Sequence, residues 1–307
     1  MSTLIQQFQS PSNPDRSITY AHLNIGAQHT LIFCYGAASN SLVLSLYEPF
    51  LESHADLSLL CVDRWTQGKD AARTGPALLS ELTSITLELL DSLKIDHFSI
   101  ASHSAGVYQQ LHLAQSAPTR VDHVFPISSH IPEPYTDSKI MNVMCSMPDF
   151  LFKPITKLDA TMANTWIGKK FVGMMAKKDD EEKNDLYISS SENMKPIHER
   201  IITECAANPV RAEASNIDYR FGYGRIEGVK ADFLTGLYRD SPVGITWYTS
   251  DGEVFFGPKC VERIAKDMNK VEVEIVNVPG ATHADIYVRK DVWEGMYARM
   301  TRGREAS

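Results

Sequence analysis

Between Phe98 and Tyr108 the chain changes character within a few residues. An apolar run, Phe98-Ser-Ile-Ala101, stops at Ser102-His103-Ser104-Ala105-Gly106, and helical spacing resumes through Tyr108, Leu111, Leu113 and Ala114. A strand, a turn of small residues and a helix in direct succession force the helix to leave close against the strand. Ser104 falls at the apex, where its hydroxyl is pushed out of the sheet beside a backbone N–H left free at a helix N-terminus. The common form of such a turn is G-x-S-x-G, and here Ser102 stands in place of the first glycine. The same residues could also form an ordinary βα turn with a serine cap. What separates the two is the company that the rest of the chain brings to that edge.

The flanking segments alternate. Leu4 to Phe8 and Ile18 to Leu23 read as an opening antiparallel pair across the turn-rich Ser10 to Ser17. Thr30 to Tyr35 is a near-continuous apolar run, the mark of a strand buried on both faces, and it ends in Gly36-Ala37-Ala38-Ser39-Asn40. Leu42 to Leu51 has helical spacing. Leu57 to Val62 is a second buried strand, closing on Asp63-Arg64-Trp65-Thr66-Gln67-Gly68-Lys69. Gly75 to Ile95 predicts a helix, and Val121 to Ile127 a further strand.

Regular alternation lapses from Ile131 to Asp240. That stretch is rich in methionine and aromatics (Phe150, Phe152, Met162, Trp166, Phe171 and Met174) and carries the charge cluster Lys177 to Asp185. Strand and helix patterns return at Gly244 to Tyr248, Gly257 to Met268, Val271 to Val278 and Asp285 to Met300. Alternation on both sides of an interruption predicts an α/β fold: one mostly parallel twisted sheet flanked by helices. Its core spans residues 1–130 and 241–307, with a mainly helical module, 131–240, inserted after the sixth strand.

Charge and cysteine usage exclude some functions. With 30 basic and 38 acidic residues the net charge is −8, and no basic stripe or zinc-finger spacing occurs, so nucleic acid is not an expected partner. The five cysteines (Cys34, Cys61, Cys145, Cys205 and Cys260) are scattered and form no C-x-x-C, as expected of buried thiols in a reducing compartment. The first ten residues have no basic segment leading into an apolar core, and no run is long enough to span a membrane. A cytoplasmic location without stable membrane insertion is the expectation. Nothing resembles a nucleotide fingerprint or a ligand cluster, so no cofactor and no metal is expected.

Strand ends of a parallel sheet gather at its carboxyl edge. Besides Ser104, two of those ends carry suggestive residues: Trp247-Tyr-Thr-Ser-Asp251-Gly252, and Val278-Pro-Gly-Ala-Thr-His283. A serine nucleophile needs a base to take its proton and a carboxylate to hold the base in the right tautomer. Ser104, Asp251 and His283 supply that set. Glu133, in His130-Ile-Pro-Glu133, is a second candidate for the carboxylate. His103 is expected to line the pocket wall or pack, and Asp285 to cap the closing helix.

In these residues the chain resembles the α/β-hydrolase fold superfamily, from the Tyr35-Gly36 turn to the closing helix. The resemblance sets Tyr35-Gly36-Ala37 in place of a His-Gly-type turn and implies that the N–H groups of Ala37 and Ala105 form the oxyanion hole. Asp63 to Gly68 resembles the family's D-x-x-G-x-G loop without its first glycine. The triad positions are matched by Ser104, Asp251 and His283, with Tyr35, Gly36 and His103 lining the substrate site. The insertion 131–240 falls where family members carry a lid. The implied activity is hydrolysis of a carboxylic ester or lactone of a small to medium, partly apolar substrate through an acyl-enzyme. The same triad would serve a lyase, a C–C hydrolase or an acyltransferase, and some proteins of this fold bind ligands without turnover. Serine at the nucleophile position argues against the epoxide- and haloalkane-cleaving branches, which place Asp there.

Overall fold

Two segments, His29–Cys34 and Leu57–Val62, are buried at every position, so neither can lie at a sheet edge or present a face to water. They form the centre of an eight-stranded sheet in a computed structural model that describes residues 4–65, 74–148, 186–268 and 270–305. The strands are β1 (Ile5–Gln9), β2 (Ser17–Leu23), β3 (His29–Cys34), β4 (Leu57–Val62), β5 (Phe98–His103), β6 (Val121–Ile127), β7 (Ile245–Thr249) and β8 (Val273–Asn277). Their order across the sheet is β1-β2-β4-β3-β5-β6-β7-β8. The β1–β2 and β2–β4 pairs are antiparallel and all others parallel, so the carboxyl ends of β3 to β8 share one edge.

Helices cover both faces. They are α1 (Glu48–Ser53), α2 (Gly75–Ser92), α3 (Val107–Ser116), α4 (Lys139–Ser146), α5 (Ser191–Ala207), α6 (Pro209–Gly222), α7 (Ala231–Arg239), α8 (Pro258–Asp267) and α9 (Lys290–Glu305). One apolar cluster joins α2, α3 and α8 to the sheet through Leu78, Leu82, Leu111 and Ile264. The other joins α1 and α9 through Phe50, Trp293 and Met296. Trp293 is fully buried against Tyr47 (ring centroids 4.1 Å apart), and its Nε1 donates to the Tyr287 carbonyl at 2.7 Å.

All eight sequence-predicted strands are present, and the helices differ at their ends for local reasons. The stretch read as one helix from Leu42 is a 3₁₀ helix, Ser41–Tyr47, that restarts as α1 with Pro49 in its first turn. The helix α2 stops at Ser92 because Lys94 turns left-handed (φ +57°). The closing helix begins as a separate 3₁₀ turn, Ile286–Val288, before α9.

Between β6 and β7 the described residues include α4, α5, α6 and α7. The start of α6 is written in its sequence: Asn208 Oδ1 accepts the Val210 N–H at 3.0 Å, and Pro209 occupies the first helical position. The aromatic and methionine residues from Phe150 to Met174, the Lys177 to Asp185 cluster, and Thr66 to Lys69 lie outside the described residues. Among the described residues, no helix is long and apolar enough to cross a membrane.

Candidate active site

Ser104 follows directly on β5 with φ +50°, a left-handed conformation that costs a side-chain-bearing residue about 1–3 kcal/mol. The neighbours that enforce it are identifiable. A Cβ on Gly106 would stand 2.1 Å from the Cys34 carbonyl oxygen and 2.6 Å from that of Tyr35, so only glycine lets α3 leave this close to β3. Ser102, in place of the usual glycine, is fully buried and satisfied: its hydroxyl donates to Gln110 Oε1 at 2.7 Å, and Gln110 Nε2 donates to the Ile100 carbonyl at 2.7 Å. The Ser104 carbonyl accepts the His130 N–H at 3.1 Å, tying the turn to the end of β6.

His283 reaches this serine from the loop after β8. Its Nε2 lies 3.2 Å from Ser104 Oγ, while Nδ1 faces Glu253 Oε2 at 2.6 Å. The carboxylate behind the imidazole is therefore Glu253, and the expectation of Asp251 is corrected. The turn after β7 explains the change. Ser250 Oγ donates to the Ala281 carbonyl at 2.6 Å and accepts the Gly252 N–H at 3.1 Å. A Cβ on Gly252 would stand 2.3 Å from that same carbonyl oxygen. This packs the turn against the His283 loop with Asp251 on its outer side, exposed and bonded to Asn277 Nδ2 at 3.1 Å. Two residues later the backbone has turned back, and the Glu253 side chain is buried beneath the imidazole. Glu133 is exposed on a 3₁₀ turn, Glu133–Tyr135, and its carboxylate has no recorded contact with His283.

Burial alone would raise the Glu253 pKa. The charge of His283, its hydrogen bond and the Phe255 N–H (2.8 Å to Oε1) outweigh that and hold the carboxyl below its ordinary value. The His283 loop is itself braced. Asp285 does not cap the following helix; its Oδ1 instead accepts the Thr282 N–H at 2.6 Å. His103 Nε2 donates to the His283 carbonyl at 2.9 Å, and its ring lies 4.5 Å from that of Tyr287. His103 thus anchors the loop that carries His283.

The Gly36 backbone runs against the Ser104 turn: a Cβ there would be 3.2 Å from Ser104 Cβ and 2.9 Å from His103 Nδ1. Ala37 is the next residue on that segment, and Ala105 is the residue after Ser104 within the 3₁₀ turn Ser104–Gly106. Tyr35, expected at the substrate, points elsewhere. It is buried, its hydroxyl accepts the Arg64 N–H at 2.9 Å, and the Arg64 guanidinium lies 4.2 Å over its ring. Sequence reading passed over Arg64 as part of a loop motif.

Three histidines are held neutral. Burial lowers His103 and His130 to about 3 and His123 to about 4, with the His283 charge adding to the first two and Arg299 to the third. His130 Nδ1 is engaged by the Tyr108 hydroxyl and its Nε2 has no partner among the described residues, so protonation would bury a charge that they do not compensate. Between these values and about 6.5 the unfolded chain binds more protons than the folded one, so stability falls as pH falls through that window. The midpoint of thermal unfolding is expected to drop steadily from pH 6.5 to 4.5. His123→Gln, remote from Ser104, should flatten that slope; an unchanged slope would contradict the assignment for His123.

No family model and no curated protein matches the sequence. Solved structures do resemble the fold. A carboxylesterase of the ammonia-oxidizing thaumarchaeon Nitrososphaera gargenis superimposes with a TM-score of 0.62 at 17% identity, covering 98% of this chain and 100% of that one. The enol-lactonase of Burkholderia xenovorans LB400 gives 0.60 at 14% identity, over 97% and 100% of the two chains. A hydrolase of Pseudomonas aeruginosa PA01 gives 0.61 at 14% identity, over 98% and 99%. With the strand order, these place the chain in the α/β-hydrolase fold.

Proposed function

We propose that this protein is a serine hydrolase acting on a carboxylic ester or lactone of a small to medium, partly apolar molecule. The observation that carries the reading is the relay from Ser104 Oγ to His283 Nε2 at 3.2 Å and from His283 Nδ1 to Glu253 at 2.6 Å. A hydroxyl is a weak nucleophile at neutral pH, and a hydrogen-bonded imidazole oriented by a carboxylate is the arrangement that activates it. The likeness to a carboxylesterase and an enol-lactonase supports the same reaction class at the level of fold.

In this mechanism His283 takes the Ser104 proton as Oγ bonds to the carbonyl carbon. The carbonyl electron pair moves onto oxygen, which the N–H groups of Ala37 and Ala105 stabilise. The carbonyl re-forms, and His283 gives its proton to the departing alkoxide. Water, deprotonated by His283, then attacks the acyl-serine, releases the acid and restores Ser104. Glu253 keeps Nδ1 protonated throughout and stabilises the imidazolium. In this reading residues 131–240 take the place of a lid. The five free cysteines, four of them buried, fit a reducing compartment such as the cytoplasm.

A fluorophosphonate probe tests this directly. Wild-type protein is expected to be labelled on Ser104, with labelling lost in Ser104→Ala and much reduced in His283→Ala. An unlabelled wild type would favour a binding protein on the same fold.

A further inference from the structure

Arg64 follows β4 and is almost fully buried, yet it is charged. Burial opposes that charge, and Asp218 with Tyr35 more than compensates, so its pKa lies above the ordinary arginine value. Asp218 belongs to α6, in the segment inserted between β6 and β7. Its carboxylate takes both arms of the guanidinium, Nε at 2.9 Å and Nη2 at 2.7 Å, and a third donor, Trp65 Nε1, at 2.7 Å. Trp65 is held at φ +53°, a conformation a bulky residue adopts only under constraint. One residue before Arg64, Asp63 faces Arg211, also on α6, at 3.5 Å. Core and inserted helix are thus joined by two ion pairs of opposite sense.

A buried ion pair is a weak source of stability, since apolar side chains of the same volume often do as well. The remaining donors of Arg64 suggest another role. Nη1 donates to the Tyr35 carbonyl at 2.7 Å and Nη2 to the Gly36 carbonyl at 3.3 Å. The Gly36 carbonyl and the Ala37 N–H belong to one planar peptide group. A cation on that carbonyl fixes the plane of the group and draws electron density from its nitrogen, which makes the N–H a stronger donor. Sheltered from water, this polarisation is not screened away.

We propose that Arg64 is a positioning residue for the oxyanion donor Ala37, and that Asp218, from the inserted helix, holds it in place. The proposal rests on the role given to Ala37 above. Its consequence is that the seat of the inserted segment and the donor strength of the oxyanion site form one unit.

The test compares Arg64→Lys and Asp218→Asn with wild type on 4-nitrophenyl butyrate, with thermal unfolding and inhibition by an aryl trifluoromethyl ketone measured in parallel. Lysine keeps the charge but cannot hold two carbonyls and a carboxylate in one plane. Expected is a fall in kcat of about 10- to 100-fold with KM within about threefold, below the loss typical of removing an oxyanion donor outright. The ketone, which binds as a tetrahedral oxyanion, should weaken by the same factor as kcat/KM. Should Arg64→Lys fail to fold, Asp218→Asn carries the comparison, with a smaller loss in the same direction. A folded variant with unchanged kcat, or one whose KM rises while kcat holds, overturns the proposal and leaves the hydrolase reading intact. A wild type inert to both ester and fluorophosphonate overturns both.

Discussion

Glu253→Gln is expected to lower kcat/KM on a simple ester by roughly ten-thousandfold, while Asp251→Asn leaves it within about threefold. Glutamine would keep the volume and the 2.6 Å approach to His283 Nδ1 but remove the charge. Its amide could also donate to Nδ1 and drive the proton to Nε2, where it would block acceptance from Ser104. The expected loss sits below that of Ser104→Ala, about a millionfold in kcat for a comparable serine enzyme. Among the described residues Asp251 has only its bond to Asn277 to lose, and an exposed contact of this kind contributes little. Steady-state kinetics of the three variants decide the matter. Near-complete loss in Asp251→Asn with a benign Glu253→Gln would return the acid to Asp251.

Gly106→Ala is expected to destabilise the fold by about 4 kcal/mol or more, enough to abolish soluble expression if the parent is of ordinary stability. The new methyl would overlap the carbonyl oxygens of both Cys34 and Tyr35. Neither can retreat cheaply, because Cys34 pairs with Ser102 in the β3–β5 ladder and the Tyr35 carbonyl is held by Arg64. Gly26→Ala is the control. Its φ of +87° penalises a side chain, yet nothing among the described residues lies within 4 Å of the added methyl, so a loss of only about 1–2 kcal/mol is expected. Urea unfolding of the two variants would separate clash from conformational cost, and equal midpoints would contradict the close-approach argument.

The strands were legible because the central ones are nearly continuous apolar runs, a pattern imposed by burial on both faces and independent of their partners. Ser104 and His283 were legible because small-residue turns bracket them where a strand ends. Glu253 was not, since Asp251-Gly252 carries the ordinary signature of a turn and attracts the assignment. The only local sign for Glu253 was a single acid heading the apolar run Val254-Phe255-Phe256. Arg64 was hidden for a different reason: its partners, Tyr35, Gly36 and Asp218, lie far from it along the chain, and periodicity carries no information about such contacts. Tyr35, which stands where the resemblance sets a histidine, has its hydroxyl engaged by the Arg64 backbone N–H, a contact that the sequence pattern does not reveal.

The strand order has a consequence for biosynthesis. On its outer side β6 is completed only by β7, which the chain supplies more than a hundred residues later. Until Ile245–Thr249 emerges from the ribosome, Val121–Ile127 presents an unprotected edge of backbone polar groups beside the apolar side chains of Val124, Phe125 and Ile127. The nascent polypeptide must therefore carry an adhesive margin through much of its synthesis, a period in which chaperone shielding would matter most.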